Sequence, residues 1–198
     1  MKWPRALLAS LLYLALLAAI YLVHVRFLRV DVVFYAALED ALVATLIATV
    51  LLLVLRVFGA FNSFEKVQLV TIWALLGYAL AISVPTVLDR SLSFYILEKL
   101  EQRGGGIKYS AFENIFAQEY VKEHHLVDVR LTEQLKSGTI QVHDGCVTLT
   151  QRGHDLARFS RWFRMNLLPR QRLLLGEYSD ALTDPFRHSA PAADYECK

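Results

Sequence analysis

Residues 41–55, Ala41-Leu-Val-Ala-Thr-Leu-Ile-Ala-Thr-Val-Leu-Leu-Leu-Val-Leu55, run for 15 positions without a charge. At 1.5 Å per residue that is about 22 Å of helix, short of the roughly 30 Å hydrocarbon core of a bilayer. Two readings make up the shortfall. In one, the helix runs on past Arg56 to about Ala60 and the long arginine stem carries its charge to water. In the other, it starts near Val32 and takes Glu39 and Asp40 to membrane depth, where a carboxylate marks a proton site or an inter-subunit ion pair. The reach of Arg56 favours the first, a span over 38–59 with Glu39 and Asp40 at the interface beside Arg26 and Arg29.

Two further apolar runs flank this one. Ala6–Val23 follows Lys2, Trp3 and Arg5, the basic and aromatic residues of a membrane interface. It leads into Val23-His24-Val25-Arg26-Phe27, which has no small-x-small cleavage site, so a retained signal anchor over 6–24 is expected. Val67–Val87 is the third run. Gly77 and Ala81 stand there in small-xxx-small spacing, with Ala74 near the same face, and such a face lets helices approach closely. It suits another protein as well as it suits the chain's own helices. Pro85 is expected to kink or end the run.

Composition agrees with a membrane region at 1–87. Of the charged residues, ten lie in 1–87 and thirty in 88–198, and 55% of the 198-residue chain is hydrophobic. That pattern excludes a plain soluble globule, a secreted disulfide scaffold and a disordered chain. Cys146 and Cys197 form no framework, and nothing in the sequence suggests a disulfide. Three spans put the termini on opposite sides. A cytoplasmic C-terminus gathers Arg26, Arg29, Arg90, Lys99, Arg103 and Lys108 inside; the reverse gathers Lys2, Arg5, Arg56 and Lys66. The six-to-four count favours a multi-pass protein of a bacterial-type inner (plasma) membrane with its C-terminal domain in the cytoplasm.

From Asp89 the pattern changes. Leu92, Ile96 and Leu100 mark a helix over 90–102, stopped by Gly104-Gly105-Gly106. Ser110-Ala-Phe-Glu113 has the form of a capping box and opens a helix to about Lys122. Asp128 caps a third helix, 129–136, which closes at Gly138. Thr139–Leu149 alternates polar and apolar residues around Asp144-Gly145, a strong hairpin signal, and Thr150 caps a last helix over 151–165.

Helix, helix, helix, hairpin, helix resembles the winged-helix domain. The passage Leu131-Thr-Glu-Gln-Leu-Lys-Ser-Gly-Thr-Ile140, followed by Val147-Thr-Leu-Thr-Gln-Arg-Gly153, looks like that superfamily's run from third helix to wing and on to the next helix. The resemblance covers 90–165. It implies a winged-helix-like α+β domain at 88–166 with one hairpin, and a task of binding DNA, RNA or protein. Against nucleic acid, residues 88–198 carry 15 Lys+Arg and 15 Asp+Glu, and the wing tip His143-Asp144-Gly145 has no lysine or arginine. Protein docking is the expectation.

Basic residues gather later, at Arg152, Arg158, Arg161, Arg164, Arg170 and Arg172, among Leu156, Phe159, Trp162, Phe163, Leu167 and Leu168. This suits a helix on an anionic membrane surface, and equally a core-facing helix with a solvated basic side. Residues 167–198 read as an extended partner-binding segment with a loose tail from Arg187.

No P-loop, G-x-G-x-x-G, G-x-S-x-G or H-E-x-x-H occurs, and His124, His125, His143, His154 and Cys146 show no zinc spacing. No enzyme, catalytic residue, cofactor or metal is expected. The sequence points to an accessory or assembly subunit of a larger integral membrane protein or enzyme. Gly77, Ala81, Arg158, Arg161, Arg164, Arg170 and Arg172 are the candidate partner-binding residues, with Glu39 and Asp40 as candidate intramembrane acids. The alternative is a membrane-tethered transcription regulator.

Overall fold

The computed structural model describes residues 2–187, which are mostly helical. A first compact unit extends to Lys122 and a second begins at Glu123, whereas the sequence suggested a boundary after residue 87.

The first unit is built on α1 (Trp3–Phe27), α2 (Val33–Val54) and α3 (Ser63–Ala81). All three are long and apolar enough to cross a membrane. α2 lies five residues earlier than the expected 38–59. Its 22 residues make about 33 Å of helix without Arg56. At Leu55 the backbone turns extended, and a 3-10 turn over Arg56–Phe58 buries Phe58 against Phe61, ring centres 6.3 Å apart. The helix thus ends before Arg56, which lies in the turn that follows.

α3 opens with a capping box: Asn62 accepts from the Glu65 amide at 2.8 Å, and the Glu65 carboxylate accepts from the Asn62 amide at 2.9 Å. Glu65 also receives Lys2 at 2.7 Å, tying the start of α1 to the start of α3. Pro85 neither ends nor breaks this helix. The chain widens into a π turn over Ile82–Thr86 and continues as α4 (Val87–Arg90). Proline removes the amide that would bond Ala81 O four residues back, and the Thr86 hydroxyl donates to that carbonyl instead, at 2.8 Å.

Small residues allow the three helices to close. The Tyr13 and Trp73 rings stack at 5.5 Å and 8°, Trp73 Nε1 donates to Ser10 Oγ at 3.1 Å, and Ala44, Ala48 and Leu52 complete the core. In lipid, where helices gain no hydrophobic force by meeting, packing and interhelical hydrogen bonds of this kind are what carries association.

The unit continues through α5 (Leu92–Gln102), capped by Ser91, and left-handed Gly104 and Gly105. The capping box expected at Ser110 and Glu113 does not form. Ser110 lies inside a 3-10 turn over Tyr109–Ala111, and α6 (Phe112–Asn114), a π turn over Ile115–Tyr120 and α7 (Val121–Glu123) follow. The π turn brings Phe116 and Tyr120 to the ring of Tyr95, at 6.3 and 4.6 Å, and Glu119 to buried Lys99 at 2.7 Å.

In the second unit, His125 takes a left-handed conformation (φ 43°) and α8 (Leu126–Ser137) starts after it. Asp128 is therefore inside the first turn, 3.6 Å from His125, and caps nothing. Gly138 ends α8 at φ 69°. β1 (Ile140–His143) pairs antiparallel with β2 (Cys146–Leu149), with Ile140 opposite Leu149. Asp144 (φ 50°) and Gly145 (φ 76°) make the tight turn. The Thr150 hydroxyl caps α9 (Gln151–Asn166), accepting from the Gly153 amide at 3.1 Å.

A second hairpin, β3 (Arg172–Leu174) with β4 (Glu177–Ser179), replaces the extended segment expected after 167. Its turn uses Leu175 (φ 49°) and Gly176 (φ 100°). The expectation that Cys146 and Cys197 form no disulfide involves Cys197, which lies with the tail from 188 outside the described residues.

Candidate functional site

α1 and α2 are joined by residues 28–32, so the end of α1 lies beside the start of α2, and His24 and Asp40 meet there. His24 Nδ1 and Asp40 Oδ1 share a hydrogen bond of 2.7 Å, and Asp40 is only 4% exposed. Its other oxygen, Oδ2, has no hydrogen-bond partner. Glu39, one residue and about 100° away around the helix, is exposed. The two acids, adjacent in sequence, thus occupy different surroundings.

Asp40 lies on the wall of two apolar recesses. One, of about 320 Å³, runs between α1, α2 and α3 and is lined by Leu17, Tyr21, Leu80 and Val84 among others. The second, of about 430 Å³, lies on the side of His24, Glu39 and Val43. Gly77 and Ala81 are buried against the chain's own helices. A Cβ at Gly77 would collide with the Tyr13 hydroxyl and press on Ala41. The close-packing face thus serves the bundle itself.

The arginines belong to the second unit. Of its described residues only Thr139 and Gly153 are buried, so it buries no apolar side chain. Gly153 presses on the Thr139 carbonyl, which sets the inward side of α9. Trp162, nine residues on and about two and a half turns away, points to the opposite side. Phe159 is 56% and Trp162 52% exposed, their rings 6.1 Å apart, with Phe163 6.0 Å from Phe159. α9 is thus not a core-facing helix in this unit.

Arg158 is exposed, while Arg161 Nη2 approaches Asp184 at 3.9 Å and the Arg164 guanidinium lies 5.5 Å over the Phe186 ring. Arg170 precedes β3, where its carbonyl accepts from the Thr183 hydroxyl at 2.8 Å, and Arg172 opens the strand. Arg187 holds Asp180 through two bonds of 2.9 and 3.0 Å, which keeps the Asp180 carboxyl below its usual range and the guanidinium above its own. The expected arginine group is thus divided between α9 and the second hairpin.

Sequence reading passed over His24 and the Lys99–Glu119 pair. His24, near the end of α1, could have been paired with Asp40, near the start of α2, only by recognising the short 28–32 connection between them. For Lys99 no local pattern exists, because its partner is twenty residues away across a glycine stop. No group of three His, Cys, Asp or Glu side chains able to hold a metal comes together among the described residues. No family model, curated protein or solved structure matches this chain.

Proposed function

We propose that the chain is a non-catalytic accessory or assembly subunit of a larger membrane complex. Its three apolar helices anchor it in an inner (plasma) membrane, and residues 88–166, read as a winged-helix-like module, dock a larger integral membrane protein. One observation carries this reading. A unit whose described residues bury no apolar side chain, and which presents Phe159, Trp162 and Phe163 on one side of a helix, needs a covering surface. Aromatics with interspersed arginine make up the anchoring chemistry of protein interfaces. An envelope-biosynthesis enzyme such as a glycosyltransferase is the proposed class of partner.

The tethered-regulator alternative needs a basic reading helix. On α8, Arg130 is paired with Glu133 at 2.8 Å, and Asp128 lies beside His125, an arrangement poorly suited to phosphate. Purification in mild detergent through a C-terminal tag, with mass spectrometry of stoichiometric partners, tests the proposal. A large membrane enzyme in the eluate supports it. A partner-free eluate that binds duplex DNA in a salt-dependent way overturns it.

For orientation we propose a cytoplasmic C-terminal unit, on the flank count of six basic residues against four.

A further inference from the structure

Ala157, Arg161 and Arg164 follow Gly153 along α9 at spacings of four, four and three residues, so they share the inward side of the helix, away from Trp162. The chain returns to this side at residues 184–187. Asp184 comes to Arg161 and Phe186 to Arg164, and with Ala157 and Arg187 these residues line a recess of about 420 Å³. All six belong to the second unit.

The charges at this recess do not cancel. Arg161, Arg164 and Arg187 meet Asp180 and Asp184, which leaves one positive charge in excess. Arg187 is engaged by Asp180 through two hydrogen bonds. The two arginines of α9 are not engaged in this way. Arg161 Nη2 stands 3.9 Å from Asp184, beyond hydrogen-bond length, and its side chain is 65% exposed. Asp184 also acts on Arg187, so it is not a counter-ion reserved for Arg161. Arg164 has no carboxylate or hydrogen-bond partner among the described residues, and the Phe186 ring below it offers a π face rather than an acceptor lone pair.

The donors define the ligand. Each guanidinium carries five N–H groups in a planar fork, and two forks three residues apart are neighbours on one helix face. A carboxylate satisfies one fork. A phosphate monoester, with three terminal oxygens and up to two charges, takes donors from both. The volume falls within the range of small-molecule sites, so the phosphate can carry an organic group.

We infer that this recess binds a phosphate monoester through Arg161 and Arg164, with Phe186 and Arg187 forming its wall. It lies on the side of α9 opposite Phe159 and Trp162, so the inference goes beyond the docking reading and stands or falls without it.

Isothermal titration calorimetry on the full chain in a neutral detergent tests it with three probes. These are glycerol 3-phosphate, its carboxylate counterpart glycerate, and a short-chain phosphatidic acid below its micelle concentration. Glycerol 3-phosphate should bind at least about tenfold more tightly than glycerate. Phosphatidic acid separates the two sources of such a phosphate. Binding close to that of glycerol 3-phosphate points to a soluble ester, and binding about tenfold tighter points to a lipid headgroup whose chains add apolar contact. The tighter of the two phosphates is then titrated into variants. Arg161→Gln and Arg164→Gln should each weaken it about tenfold or more. Arg152→Gln removes the same charge on the far side of α9 and should change it by less than about twofold. Ala157→Leu fills the recess at constant charge and should abolish binding, and it serves if a glutamine variant does not fold. Absence of binding by both phosphates, or equal binding of glycerate, overturns the inference. So does an Arg152→Gln loss as large as that of Arg161→Gln, or full binding by Ala157→Leu.

Discussion

Lys99 Nζ lies 2.7 Å from Glu119 Oε2 and 5.8 Å from the centre of the Tyr95 ring, with Lys99 itself buried. The carboxylate also receives Arg103 at 3.1 Å. Lys99 first, and then Arg103, hold the Glu119 carboxyl below its usual range. A carboxyl whose folded pKa is depressed adds stability that is fully present above its unfolded value, about 4.3, and is lost as pH falls through the folded value. The packing of residues 92–123 should therefore loosen on acidification below about pH 4.3. Hydrogen exchange of α5 in detergent, followed from pH 6 to 3, checks this. Glu119→Gln should lower protection at pH 6 and remove that part of the pH dependence. A variant with the same acid profile as wild type would show that the pair contributes nothing.

Gly77 leaves room for the hydroxyl of Tyr13, whose ring stacks on Trp73. Gly77→Ala should destabilise the bundle by about 1–3 kcal/mol, the usual cost of overpacking. Tyr13→Phe removes the colliding hydroxyl and leaves the stack. Its only described hydrogen bond is a 3.5 Å contact from Thr45, so the single change should cost little. The double variant should then recover most of the loss. Thermal unfolding of the four proteins in detergent gives the coupling directly. If the double variant is no better than Gly77→Ala, the close approach lies elsewhere.

These two sites show what the sequence makes legible. Apolar run length locates three candidate spans, and Asp144-Gly145 locates a hairpin, because each signal is local. The second hairpin turns on Leu175-Gly176, where leucine takes a positive φ that its type disfavours, so no turn signal preceded it. Asn62-x-x-Glu65 and Ser110-x-x-Glu113 are equivalent patterns, yet only the first forms the reciprocal bonds. Local chemistry permits a cap; the surrounding packing decides whether the helix begins there. His24 and Asp40 needed the turn between their helices before their facing positions meant anything.

Orientation is open to a direct measurement. A green-fluorescent fusion placed after Lys198 is bright only when its carrier end is cytoplasmic, and the proposed topology predicts brightness. A dark fusion, with a Cys146 thiol that reacts only after reduction, would put the C-terminal unit in an oxidising compartment instead.

Phe159 and Trp162 give the sharpest test of docking because both are exposed and pack in no core. Replacing both with serine should leave the fold unchanged, with far-UV circular dichroism and gel filtration as in wild type, since surface changes are usually within about 0.5 kcal/mol. Partner co-elution should fall steeply, because loss of one aromatic anchor commonly costs about 2 kcal/mol or more, near thirtyfold in affinity. Arg161→Glu with Arg164→Glu should weaken association less and in a salt-dependent way, since Arg161 already approaches Asp184 and Arg164 lies over Phe186. The two pairs of substitutions separate the kinds of surface. A protein partner should respond most to loss of the aromatics, and an anionic lipid surface most to charge reversal and added salt. Association untouched by either pair would remove α9 from the interface.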